Sequence, residues 1–192
     1  MSATLFDVRL PATIQAQPAK RIAEFIRHVD QRCSAHIDVP IYGSVAITLF
    51  LADDPNLAYQ TDDIDVASTG EDARVFGELA SQVSGATLRV QAYSVQQWLV
   101  HPDWRQELVD VSELVGTNHI RLLLLHPVDV IITKLLRWHD RDYADALHLK
   151  SHFKIEKGVF LERLQGAIEC YEPLSDRDNS TLRFALEDLE YS

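Results

Sequence analysis

The sequence predicts an α/β (α+β) fold: a mixed, twisted sheet with flanking helices, followed by a helical C-terminal extension. Three observations lead there. Strand-like and helix-like segments alternate through the first two thirds of the chain, only helical patterning follows Tyr143, and seven glycines and seven prolines in 192 residues leave little room for long linkers. A composition of 46% hydrophobic and 24% charged residues is that of a soluble globular chain with one substantial core or two small ones.

Taken in order, Pro18 opens a helix whose Ile22, Phe25, Ile26, Val29 and Cys33 recur at helical spacing, which makes Cys33 a small core residue. Ile37 to Tyr42 reads as a strand, with Gly43 ending it, Ser44 capping the next helix, and Val45 to Leu51 forming a nearly all-apolar helix that must be buried. After a turn at Asp53 to Asn56, Thr61 to Ala67 is a strand whose period of two places Asp63 and Asp65 on one face and Ile64 and Val66 on the other. Glu71 to Val83 is helical, Thr87 to Tyr93 a strand, and Val95 to Val115 ambiguous with a possible strand at Glu107 to Val111. Asn118 to Leu125 is a strand. Pro127 then begins a helix in which Val128, Ile131, Ile132, Leu135 and Leu136 form one stripe. The expected domains are an α/β core at 1–126 and a helical part at 127–192 packed on it.

The balance of 18 Lys and Arg against 29 Asp and Glu gives a net charge of -11, which opposes wrapping a polyanion over a broad face. No apolar run approaches the roughly 18 to 20 residues of a membrane span; Leu122 to Leu125 is closed by His126 and Pro127. The opening MSATLFDVRL lacks a basic start followed by an apolar stretch, and Cys33 and Cys170 form neither a CxxC pair nor a disulfide framework. Cytoplasmic residence is the simplest expectation.

Two carboxylates on one strand face can hold a hard divalent cation such as Mg²⁺ (or Mn²⁺), which commonly shares its oxygen ligands with substrate phosphates. Asp63 and Asp65 meet that demand, although such a pair is also compatible with a solvated edge. No Gly follows them at the position a calcium loop needs. Gly43-Ser44 offers backbone N–H groups, a hydroxyl and the positive end of a helix to an anion. On the helix from Pro127, Lys134 lies at the edge of the buried stripe, where its stem can lean inward while the ammonium stays in a cleft. Arg137 and Arg141 follow it as the most concentrated basic surface of an acidic chain; a solvated face softened by Asp140 and Asp142 is the alternative. Asp129 reads as a first-turn residue interacting with the helix N-terminus.

GSVAITLF followed by TDDIDVAS closely resembles the signature of the nucleotidyltransferase superfamily, a Gly-Ser helix start and then an Asp-x-Asp strand. Downstream, HPVDVIITKLLRWHDRDYADALHL resembles the matching segment of a bacterial branch, the AbiEii-like group of toxin-type and uncharacterised nucleotidyltransferases. Together these motifs span Gly43 to Leu147. The resemblance implies catalytic roles for Asp63, Asp65, Lys134 and one or both of Asp142 and Asp145, with metal on Asp63 and Asp65. The expected nucleotide contacts are Gly43 and Ser44 at the helix start and Arg137 and Arg141 on the basic surface. The reaction would transfer a nucleoside monophosphate from an NTP to an acceptor hydroxyl, of a tRNA or a small molecule, with toxin-like action and an antitoxin protein as partner. A cationic small molecule suits the acidic chain better than tRNA does.

Many members place a third carboxylate on a later strand, yet TLRVQAY (Thr87 to Tyr93) contains no acid. Asp110 in ELVDV is the best substitute, with Glu107 and Glu113 behind it. The alternative is therefore a catalytically weak or inactive module that acts through nucleotide or protein-partner binding. His148 and His152 have the i, i+4 spacing of zinc ligands but lack the Glu of HExxH and a third ligand. Trp98 and Trp104 are candidates for cleft cover or core, and Lys150, Lys154 and Lys157 for a solvated basic face.

Overall fold

The protein is described from a computed structural model over residues 5–58, 61–68, 70–83, 85, 88–94, 98–171 and 173–191. The described residues fall into two compact units, those of Arg9–Val95 with Leu108–Leu125, and those of Met1–Val8, Gln96–Glu107 and His126–Ser192. The last crossing from the one to the other lies between Leu125 and His126. Two segments that precede it in sequence, around Phe6 and Trp104, cluster with the helical unit.

The sheet unit contains α1 (Gln17–Asp30), β1 (Ile37–Tyr42), α2 (Gly43–Phe50), β2 (Asp63–Val66), α3 (Glu71–Ser81), β3 (Arg89–Ala92), β4 (Val109–Asp110), α4 (Ser112–Val115) and β5 (Ile120–Leu124). The five strands form one mixed sheet in the order β3-β2-β1-β5-β4. β1 is antiparallel to β2 and parallel to β5, β2 is parallel to β3, and β4 is antiparallel to β5. Alternation decides the two faces: Ile37, Val39, Ile41, Ile64, Val66, Leu122 and Leu124 are buried, with α3 packed on β1 and β3 and α1 on α3. Tyr42, Asp63 and Asp65, on the opposite face, are only half-buried.

One buried carboxylate fixes this frame. Asp30, 3% exposed at the end of α1, accepts hydrogen bonds from the backbone N–H groups of Asn118, His119 and Ile120, the last two at 2.8 Å. That anchors the start of β5. α1 ends at this residue, short of the expected Cys33, which is nevertheless buried and donates its thiol to the Ala35 carbonyl. The expected strand at Thr87 to Tyr93 is β3, beginning at Arg89; Thr87 and Val95 lie outside the described residues. A 3-10 turn at Trp104–Glu107 precedes β4, which falls inside the expected Glu107 to Val111, and α4 is an element the sequence reading does not contain.

The helical unit contains α5 (Pro127–Ile132), α6 (Asp140–Phe153), α7 (Lys157–Cys170) and α8 (Asp176–Asp188), with α5 packed on α6 and α7. The helix from Pro127 is shorter than its apolar stripe predicts. After Ile132 the N–H groups of Lys134, Leu135 and Arg137 bond to carbonyls three residues back, and Trp138 takes a left-handed φ of 40° that ends the run. Lys134 and Arg137 therefore lie on a tight turn, and Arg141 belongs to the next helix. Among the described residues, no helix is long and apolar enough to cross a membrane.

Candidate functional site

On the half-buried side of the sheet the site is built by β1, β2 and β3. Tyr42 pairs in register with Asp65, and β3 sets Arg89 opposite Asp63 and Gln91 opposite Asp65, so all five side chains share one face. At the end of β1 the chain turns through Gly43 with φ +66°, and a Cβ there would stand 2.7 Å from Asp65 Oδ2. Only glycine satisfies both conditions, because a side chain disfavours the left-handed region and would collide with the carboxylate. The turn is made at Gly43 itself, so α2 starts there with Tyr42 in the cap position. Ser44 is accordingly a residue of the first helical turn, not the expected cap, and its carbonyl accepts from the Thr48 hydroxyl at 2.7 Å.

Asp63 and Asp65 thus present oxygens on one half-buried face beside a backbone that approaches without a side chain. Two carboxylates and an open approach suit Mg²⁺, which commonly takes one or two protein carboxylates and completes its shell with water and phosphate oxygens. Among the described residues no group of three or more His, Cys, Asp or Glu forms a closed metal cage, and none includes His148 and His152, both exposed on α6. Tyr93 stands beside the pair: burial raises its pKa, and the charges of Asp65 and Asp63 add to the shift. Its hydroxyl donates to Gln91 Oε1, and its ring meets Tyr42 edge-on at 6.2 Å.

Asp110 is differently placed. β1 and β5 separate its strand from β2, three strand spacings or about 14 Å. Its carboxylate accepts from the Ser112 N–H at 3.0 Å and from Arg121 Nε at 3.0 Å. Partial burial acts to raise its pKa, but Ser112 and Arg121 together bring it below the usual value, which makes it a weaker proton acceptor.

The residues expected downstream gather in the helical unit. Lys134, 4% exposed, donates from Nζ to Asp145 Oδ2 at 2.7 Å and to Asp142 Oδ1 at 3.2 Å. The expected ammonium standing in an open cleft is corrected by this burial: once helical geometry ends at Ile132, the tight turn points the side chain at α6. Arg137 also clasps Asp142, with Nε 2.9 Å from Oδ2 and Nη2 2.6 Å from Oδ1, and the His139 N–H completes a capping box. Arg137 remains exposed, as does Arg141. Burial opposes ionisation of Asp142, but Arg137, the His139 amide and Lys134 hold its pKa down to about 2. Burial pushes Asp145 up to about 7 and lowers Lys134, an effect Asp142 counteracts. Asp145 Oδ1 is buried without a hydrogen-bond partner among the described residues.

A second buried cluster in this unit escapes the sequence reading. Arg163, 1% exposed on α7, donates to both oxygens of Asp129 at 2.9 and 2.7 Å, and its Nη1 stands 2.9 Å from His101 Nδ1. Since Arg only donates, Nδ1 is the acceptor, and the neutral ring carries its proton on Nε2. Burial and then Arg163 lower the His101 pKa. A Cβ on Gly166 would lie 2.4 Å from His101 Nε2, so that glycine admits the ring. Asp129 lies in the first turn of its helix as expected and is also the partner of Arg163. A sequence signal existed: Phe160, Arg163, Leu164 and Ala167 occupy one helical stripe, with an arginine where an apolar residue belongs. Lys150 is also structural, donating to the Leu189 carbonyl at 2.5 Å and lying 4.4 Å over the Tyr191 ring. Trp104 is core, 3% exposed.

A mixed sheet with a glycine-led helix start beside an Asp-x-Asp strand is the nucleotidyltransferase-like α+β arrangement. The chain belongs to the family described as nucleotidyltransferase of unknown function (DUF6036), whose model matches residues 19–192. No curated protein and no solved structure matches it significantly.

Proposed function

We propose that this member of the family binds an NTP with Mg²⁺ (or Mn²⁺) on the open face of β2 and transfers a nucleoside monophosphate to an acceptor. The observation that carries the reading is the close approach of Gly43 to Asp65, which sets the carboxylate pair beside the start of a helix. Asp63 and Asp65 are the residues to hold the ion, which when bound supplies charge neutralisation at the phosphates. Gly43 and Ser44 orient the phosphates through their N–H groups at the start of α2. Lys134, Asp142 and Asp145 hold the turn before α6 in shape and so set where Arg137 stands. The AbiEii-like resemblance supports a toxin-type role with a tRNA or small-molecule acceptor and an antitoxin partner.

Calorimetric titration of the four NTPs with and without Mg²⁺, on wild type and Asp63→Asn/Asp65→Asn, tests this reading. Metal-dependent binding that the double variant loses is the expected result; equal affinity in both proteins overturns the metal assignment. The absence of any acid between Glu78 and Asp103, the stretch that contains β3, favours a second reading, a module that binds nucleotide or a protein partner without turnover. NTP binding without pyrophosphate release for any acceptor is its signature.

A further inference from the structure

β2 has two neighbours in the sheet, and they differ in chemistry. On the β1 side lie Gly43, Ser44 and the start of α2, where the reading above puts the phosphates of the NTP. On the β3 side lie Arg89 opposite Asp63 and Gln91 opposite Asp65, with Tyr93 bonded to Gln91. Nucleotidyl transfer is an in-line displacement: the acceptor oxygen bonds to the α-phosphorus as the bond to the β-phosphate oxygen breaks, and pyrophosphate leaves on the opposite side. With the leaving group over β1 and α2, the acceptor enters over β3.

What β3 presents is a cation, an amide and a phenol. Arg89 is exposed, and among the described residues it makes no ion pair although Asp63 is its register partner. β3 itself adds no acid to this face, since none lies between Glu78 and Asp103; the acids there are Asp63 and Asp65, which the proposed metal ion would neutralise. A planar guanidinium with several donors at the rim of the site matches phosphate oxygens and repels amines. We propose that the acceptor carries a phosphate group read by Arg89, which makes a phosphate ester, and not a cationic small molecule, the second substrate of this protein. The inference rests on the proposed NTP site and differs from the choice that net charge alone suggests. A hydroxyl acceptor of this class gives up its proton to bulk water, and an acceptor that reacts through a phosphate oxygen has none to lose.

The test supplies α-labelled NTP, Mg²⁺ and one of three acceptors to the full chain: a short single-stranded RNA, glycerol 3-phosphate, or an aminoglycoside. Label transfer to either phosphate ester is expected, with RNA and glycerol 3-phosphate separating a nucleic acid from a small metabolite. Arg89→Gln should raise the KM for that acceptor about tenfold, the loss of one charge-assisted contact, with NTP affinity within about twofold and partial recovery in Arg89→Lys. Arg89 is exposed, so folding is not at stake. Transfer to the aminoglycoside alone, transfer to no acceptor, an unchanged KM in Arg89→Gln, or a loss confined to NTP affinity each overturns the proposal while the NTP site stands. Absence of NTP binding in the wild type overturns both.

Discussion

Two sets of aspartates in this protein have opposite fates. In the sheet unit Asp63 and Asp65 stay half-buried on an open strand face. In the helical unit Asp129, Asp142 and Asp145 are almost fully buried, each against a Lys or Arg of the same unit. The difference separates carboxylates buried against cations of their own unit from the half-buried pair proposed above to hold a metal ion. A buried ion pair whose partner is removed leaves a desolvated charge behind, whereas a half-buried carboxylate costs the fold less to lose.

The largest effect that can break this comparison is expected at Asp129. Asp129→Ala leaves the Arg163 guanidinium buried with only His101, and urea denaturation should show a loss of about 4 kcal/mol. Arg163→Met in the same background should restore part of it. A loss under about 1 kcal/mol in Asp129→Ala means the cluster is hydrated and the contrast with the sheet face is not real.

Asp145 tests the comparison through pH. Its folded pKa, raised to about 7 against about 4 for an unfolded carboxyl, means that the native state retains its proton longer than the unfolded chain. Its contribution is fully present below about pH 4 and is lost as pH rises towards 7. Asp142, held at about 2, works in the other direction, with stability lost as pH falls from about 4 to 2. Asp145→Asn should therefore be less stable than wild type at pH 4 relative to pH 7, the gap between them changing by about 3 kcal/mol across that window. Parallel stability curves contradict the assignment.

Gly43→Ala brings the two regions closer in kind, because it strains the backbone and pushes on Asp65 at once. Thermal unfolding should show a loss of about 2 kcal/mol with a weakened Mg²⁺-NTP response. The smallest effect is expected for Asp63→Asn/Asp65→Asn: a stability change within about 0.5 kcal/mol by urea denaturation, together with loss of metal-dependent binding. Unfolding of the double variant instead moves the pair into the class of Asp129.

Most elements, and the face each side chain takes within them, were legible in the sequence, although α4 and the early ends of α1 and α5 were not. The period of two in TDDIDVAS put Asp63 and Asp65 on one face, the Gly-Ser step marked the turn into α2, and the apolar stripes located α1 and the start of α5. Those are local facts, because backbone geometry fixes side-chain direction within a few residues. The tertiary structure decided the partners. Lys134 belongs to Asp142 and Asp145 because the chain tightens after Ile132, and Arg163 reaches back 34 residues to Asp129. Asp30 anchors β5 from 90 residues away, and strand register alone sets Arg89 and Gln91 against the aspartates. Periodicity says where a side chain points along its own element; only packing and register say what it meets there.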